Sequence, residues 1–128
     1  MSFHEKQILI IDEHGFSRIC SAIIEDIVGY ETDVVANANE LPSKLSNSEL
    51  KLIVTSYPYG AFFLDEIKKT RIPTIILSDN IDGRLIDMIG DLHNAYCMIK
   101  PIDYEKFKSL VRQVVSGGSP APGRSSIV

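Results

Sequence analysis

Five short apolar runs, each followed by a segment of helical periodicity, most narrowly limit what this 128-residue chain can fold into. The run from Gln7 to Ile11 is continuous and short enough for a strand buried on both faces. After it, Phe16 to Val28 sets Ile19, Ile23, Ile24 and Ile27 at helical spacing, and Gly29 supplies a stop. Thr32 to Ala36 is rich in β-branched residues, and Asn39 to Leu45 has room for a short helix only, because Pro42 is tolerated in a first turn and no deeper. Leu52 to Thr55 predicts a third strand and Phe62 to Lys69 a helix. Thr74 to Leu77 predicts a fourth strand after Pro73, and Leu85 to Leu92 a helix. Ala95 to Ile99 predicts a fifth strand. In Tyr104 to Val115, Phe107, Leu110, Val111, Val114 and Val115 form an i, i+3, i+4, i+7, i+8 stripe.

A β–α unit repeated five times implies an α/β protein in which helices cover both faces of a parallel sheet through right-handed crossovers. Ligands of such folds sit at the carboxyl ends of the strands, near the point where strand order reverses. Here those ends present Asp12 and Glu13, Asn37, Ser56, Ser78 and Lys100.

The length suits one domain, predicted over residues 1–116 and large enough to bury a core without disulfides or metals. Residues 117–128, GGSPAPGRSSIV, have the composition of a flexible tail or linker. Hydrophobic residues at 45% and charged residues at 23% exclude a disordered or membrane class. The net charge of −4 argues against nucleic acid as a direct ligand, since phosphates need a basic patch. Cys20 and Cys97 stand in apolar contexts without metal or redox spacing, which predicts buried thiols and a reducing, cytoplasmic setting. His4, His14 and His93 have no ligand spacing. With no leader-like N-terminus and no apolar run of membrane-spanning length, no membrane role is expected.

Three features in fixed order, the acidic pair in ILIIDEHGFSR, the hydroxyl closing IPTIILS and the Lys-Pro closing AYCMIKP, resemble the receiver domain of two-component response regulators (CheY-like). The resemblance spans roughly residues 6 to 116. It implies a three-layer α/β/α fold with a five-stranded parallel sheet of order 2-1-3-4-5. It also implies a pocket in which an aspartate at the end of the third strand takes a phosphoryl group with Mg²⁺ neutralising the charge. Carried over, Asp12 and Glu13 match the acidic pair that holds the metal, Ser78 the switch hydroxyl, and Lys100 the phosphoryl-pairing lysine, with a cis bond to Pro101. The same pair of acids would also suit the start of a helix, and Lys100 would neutralise them.

The pattern departs from the family where its chemistry is done. KLIVTS aligns Ser56 with the phosphoacceptor, and a serine hydroxyl supplies neither the attacking carboxylate nor the third anionic metal ligand. Cys97 stands where the family places its inward-turning aromatic, and alternation sends Tyr96 to the opposite face. The loop SYPYGAFF is shorter than the family's and crowded with aromatics. A degenerate receiver follows: not an enzyme, without a cofactor or with weak Mg²⁺ binding at Asp12 and Glu13, signalling independently of phosphorylation. Its partner is expected to be a protein or a second copy, bound through the face formed by Asp87 to Leu92, Tyr96 and Tyr104 to Val115. Two alternatives stand beside it, the regulatory domain of a truncated transcription regulator and, more distantly, a small flavodoxin-like enzyme or nucleotide-binding protein. Against the latter, no glycine-rich phosphate loop is present.

Overall fold

The computed structural model describes residues 7–11, 18, 20–25, 30–35, 38–47, 49–57, 63–92, 94–116 and 126–127. The first apolar run forms strand β1 (Ile8–Ile11), buried throughout. Residues 20–25 are helical and are called α1. β2 (Thr32–Val34) follows, then a 3-10 turn at Ala38–Glu40 leading into α2 (Leu41–Leu45). Pro42 falls in the first turn of α2, where its missing N–H costs nothing, and Leu41 is buried. The remaining elements are β3 (Leu52–Tyr57), α3 (Leu64–Ile67), β4 (Thr74–Ser78), α4 (Gly83–Gly90), β5 (Ala95–Ile99), α5 (Tyr104–Val115) and β6 (Ser126–Ile127).

All strand pairs are parallel, in the order β2-β1-β3-β4-β5-β6. The five-stranded order 2-1-3-4-5 is therefore present, with a two-residue strand added at the β5 edge. Ser126 and Ile127 belong to the stretch whose composition predicts a tail or linker, and the edge of β5 gives their backbone groups a partner.

The central strands are apolar on both sides because each side packs on helices. On one side Ile8, Ile10, Leu52, Val54, Ile75, Leu77, Tyr96 and Met98 meet Cys20 and Ile24 of α1 and the buried stripe of α5. On the other, Leu9, Ile11, Ile53, Ile76, Ala95 and Cys97 meet Leu41, Leu64, Ile67, Leu85 and Ile89 of α2, α3 and α4.

Several boundaries differ from expectation, three of them for a visible reason. β3 continues to Tyr57 because its ladder with β4 runs on through Ser56↔Leu77 and Tyr57↔Ser78. α3 is a single turn, closed by Thr70, whose hydroxyl donates to the Ile67 carbonyl at 2.7 Å. α4 starts at Gly83, ahead of its first buried residue, because Asp82 caps it by accepting from Leu85 N–H at 2.8 Å. Among the described residues no helix is long and apolar enough to cross a membrane.

Candidate functional site

Parallel strands in register end together, so the residues closing β1, β3, β4 and β5 gather along one rim of the sheet. Register aligns Ile11 with Thr55, Ser56 with Leu77, Tyr57 with Ser78, and Ser78 with Ile99. Ser56 and Ser78 thus sit on adjacent strands, and Lys100 follows directly on β5. Each hydroxyl is buried, with 3% exposure for Ser56 and 1% for Ser78. Backbone bonding fixes the Lys100 end, since Lys100 N–H donates to the Ser78 carbonyl at 2.7 Å. The Lys100–Pro101 peptide is cis, as the resemblance implied.

Three hydroxyls make further links along this rim. The Thr55 hydroxyl donates to the Ile11 carbonyl at 2.9 Å and holds the end of β1 to that of β3. The Ser78 hydroxyl donates to the carbonyl of Asn80 and accepts from Asn80 N–H at 3.4 Å, folding it onto its own loop. At the end of β3 the Tyr57 hydroxyl lies 3.5 Å from Oδ2 of Asp82, the cap of α4. Sequence reading missed all three links, because each depends on which loops face each other; the polar residues at the strand ends were the only signal.

Ser56, Ser78 and Lys100 stand at the ends of the neighbouring strands β3, β4 and β5. Asp12 and Glu13, the acidic members of the predicted pocket, lie outside the described residues, as do Tyr59, Phe62, His4, His14 and His93. The described side chains closing β3, β4 and β5 are neutral hydroxyls and one cation. A magnesium ion needs oxygen ligands of net negative charge, so any such site here would depend on carboxylates beyond these side chains. Among the described residues no group of three or more His, Cys, Asp or Glu is placed to hold a metal.

Tyr96 and Cys97 divide between the two faces of the sheet. Tyr96 is 2% exposed and packs with α5, whereas Cys97 is fully buried on the α4 side. Burial pushes the Cys97 thiol above its ordinary range, since the thiolate would be desolvated. Tyr96 therefore belongs to the core and not to an exposed docking face, a correction to the expected interaction surface. The same holds for Ile89, Leu92 and the buried stripe of α5. The α5 residues Tyr104 and Lys108 line a groove with Ala22 and Ile23 of α1. Among the described residues the exposed large apolar side chains are Ile86 on α4, 52% accessible, Ile99 at the end of β5, 47%, and Tyr104 on α5, 53%.

No family model matches the sequence, and no curated protein does. Solved structures match closely in shape. A two-component response regulator from Clostridium difficile superposes with a TM-score of 0.72 at 19% identity, covering 88% of this chain and 98% of that one. A CheY-like response regulator receiver domain protein from Methanospirillum hungatei JF-1 gives 0.71 at 18% identity, covering 88% and 95%. This chain has the receiver fold. NtrX from Brucella abortus, solved in complex with ATP, matches at 0.70 and 19% identity over 88% of this chain but only 27% of its own, so there the receiver fold is one part of a longer protein. Likeness at these identities establishes the fold alone. Within the receiver fold, the ends of β3, β4 and β5 are the rim on which Ser56, Ser78 and Lys100 stand.

Proposed function

We propose that the chain is a receiver-like signalling module of the two-component type that works without an aspartyl phosphate, by contact with another protein. The observation that carries this reading is the end of β3, which Ser56 and Tyr57 close with hydroxyls in place of a carboxylate of its own. A hydroxyl at that place neither accepts a phosphoryl group from phosphohistidine as a carboxylate does nor completes an anionic metal site. Asp12, Glu13, Ser56, Ser78 and Lys100 are then the remains of a phosphorylation pocket, and Mg²⁺ binding at Asp12 and Glu13 is weak or absent. No catalysis is assigned to the chain. Two buried free thiols support a reducing, cytoplasmic setting.

Signalling without phosphorylation requires a surface in one fixed arrangement rather than a switch. Cys97 supports such fixation, because a small buried thiol replaces a side chain that would move with the pocket. The surface proposed is the α4–β5 side with Ile86 and Ile99, and its partner is a second copy of the chain. Sedimentation velocity of wild type and of the Ile86→Glu/Ile99→Glu variant tests it. Concentration-dependent association lost in a variant of unchanged circular dichroism is the expected result. Association equal in the two proteins overturns the choice of surface. The second reading, a regulatory domain detached from an output domain, is favoured by the partial coverage of Brucella abortus NtrX.

A further inference from the structure

The sheet ends at β2, beyond which no strand lies among the described residues. On its inner side Ile8 N–H donates to the Glu31 carbonyl at 3.3 Å, and Val35 N–H to the Ile10 carbonyl at 3.0 Å. Backbone groups of successive residues point to opposite sides of a strand, so Glu31, Asp33 and Val35 face β1 while Thr32 and Val34 turn outward. Those outward amides are the donors that an added strand needs. Both are already taken, each by a carboxylate of the chain itself. Thr32 N–H donates to Oε2 of Glu25 at 3.3 Å, and the Thr32 hydroxyl donates to the same oxygen at 2.8 Å. Val34 N–H donates to Oδ1 of Asp33 at 3.0 Å, while Oδ2 of Asp33 receives the Lys44 ammonium at 2.7 Å.

The two carboxylates close the edge from opposite faces. Glu25 stands on α1, where the Ser21 hydroxyl also bonds that of Thr32, and α1 packs on the same face as α5. Asp33, one residue on, points to the other face, where Lys44 reaches it from α2. We propose that Glu25 and Asp33, the latter latched by Lys44, guard the β2 edge: they occupy its outward amides so that a second copy of this chain cannot add its own β2 there. A second copy is the occupant such an edge invites, because two-fold pairing asks both copies for the same donors and acceptors. With the guard in place, that pairing has to displace two hydrogen-bonded carboxylates and sets the acids of one copy against those of the other. Assembly is thereby directed away from β2, whether or not Ile86 and Ile99 form the docking surface.

Amide exchange and sedimentation velocity of the full chain test the guard in the Glu25→Ala/Asp33→Ala variant. The Thr32 and Val34 amides are expected to exchange roughly tenfold faster than in wild type, and the Asp33 amide, facing β1, to stay unchanged. The variant should also associate more strongly than wild type. Adding Val34→Pro, which removes an outward N–H and no bond to β1, should abolish that gain. Unchanged exchange at Thr32 and Val34, association no stronger than wild type, or a gain untouched by Val34→Pro overturns the guard. Lys44→Met decides if the alanine variant does not fold, since it releases the latch and leaves both carboxylates in place. Val34 exchange should then rise a few-fold with Thr32 unchanged, and equal Val34 exchange overturns the proposal.

Discussion

Ser56 differs from a carboxylate in the one property that matters at the rim, because at neutral pH it carries no charge. Its proposed place as phosphoacceptor predicts that Ser56→Asp raises Mg²⁺ affinity measurably above wild type by calorimetry. A wild-type constant as tight as the variant's argues against the pocket. Cys97 offers a second test. Its folded pKa is raised by burial, so the neutral thiol is favoured in the native state and the folded protein retains a proton that the unfolded chain releases. The resulting stability is complete below the ordinary thiol value of about 8.5 and is lost as pH rises from there through the folded value. Urea unfolding at pH 7 to 10 should therefore show a steeper alkaline decline in wild type than in Cys97→Ala. The division of Tyr96 and Cys97 between opposite faces was legible in sequence, because strand alternation fixes it. That Tyr96 was nonetheless expected on a surface reflects what alternation leaves open, namely that the face across from α4 is covered by α5. The turn of Ser78 toward Asn80 was not legible, since a strand-end serine has many local partners and only the loop path selects one.

At the scale of elements, α4 and α5 owe their starts to aspartates. Asp82 accepts from Leu85 N–H, and Asp103 accepts from the amides of Glu105 and Lys106 at 3.0 and 3.2 Å. Each Asp→Ala substitution should cost about 1 kcal/mol in urea unfolding. Asp82→Ala should also loosen α4 against β3, because the Tyr57 hydroxyl loses its contact with the cap. Phe107→Ala should cost more, about 3–5 kcal/mol, since Phe107 is fully buried among α5, β5 and the α1 side of the sheet. α5 was readable in full because its apolar stripe repeats over three turns. α3 was not, because one turn leaves too few residues to establish a period, and its end is set by Thr70 bonding back to Ile67. β6 was hidden for a different reason. Two residues at the end of a Gly, Ser and Pro stretch have no pattern of their own, and only the free edge of β5 gives them a strand's conformation.

On the scale of the whole molecule, the alternation of strands and helices determines a parallel sheet with its polar rim at the strand ends, and that much followed from periodicity. The order of strands came from resemblance rather than from pattern, because five β–α units allow several windings. The receiver structures from Clostridium difficile and Methanospirillum hungatei JF-1 share this chain's fold at 19% and 18% identity, which leaves function to be decided by the rim itself. The most direct measurement is the intact mass of wild type and Ser56→Asp after incubation with acetyl phosphate and Mg²⁺. Wild type should keep its mass, and Ser56→Asp, if the rest of the rim remains competent, should gain one phosphoryl group that mild base removes. A base-labile phosphoryl group on the wild-type protein would contradict a module that signals without aspartyl phosphate.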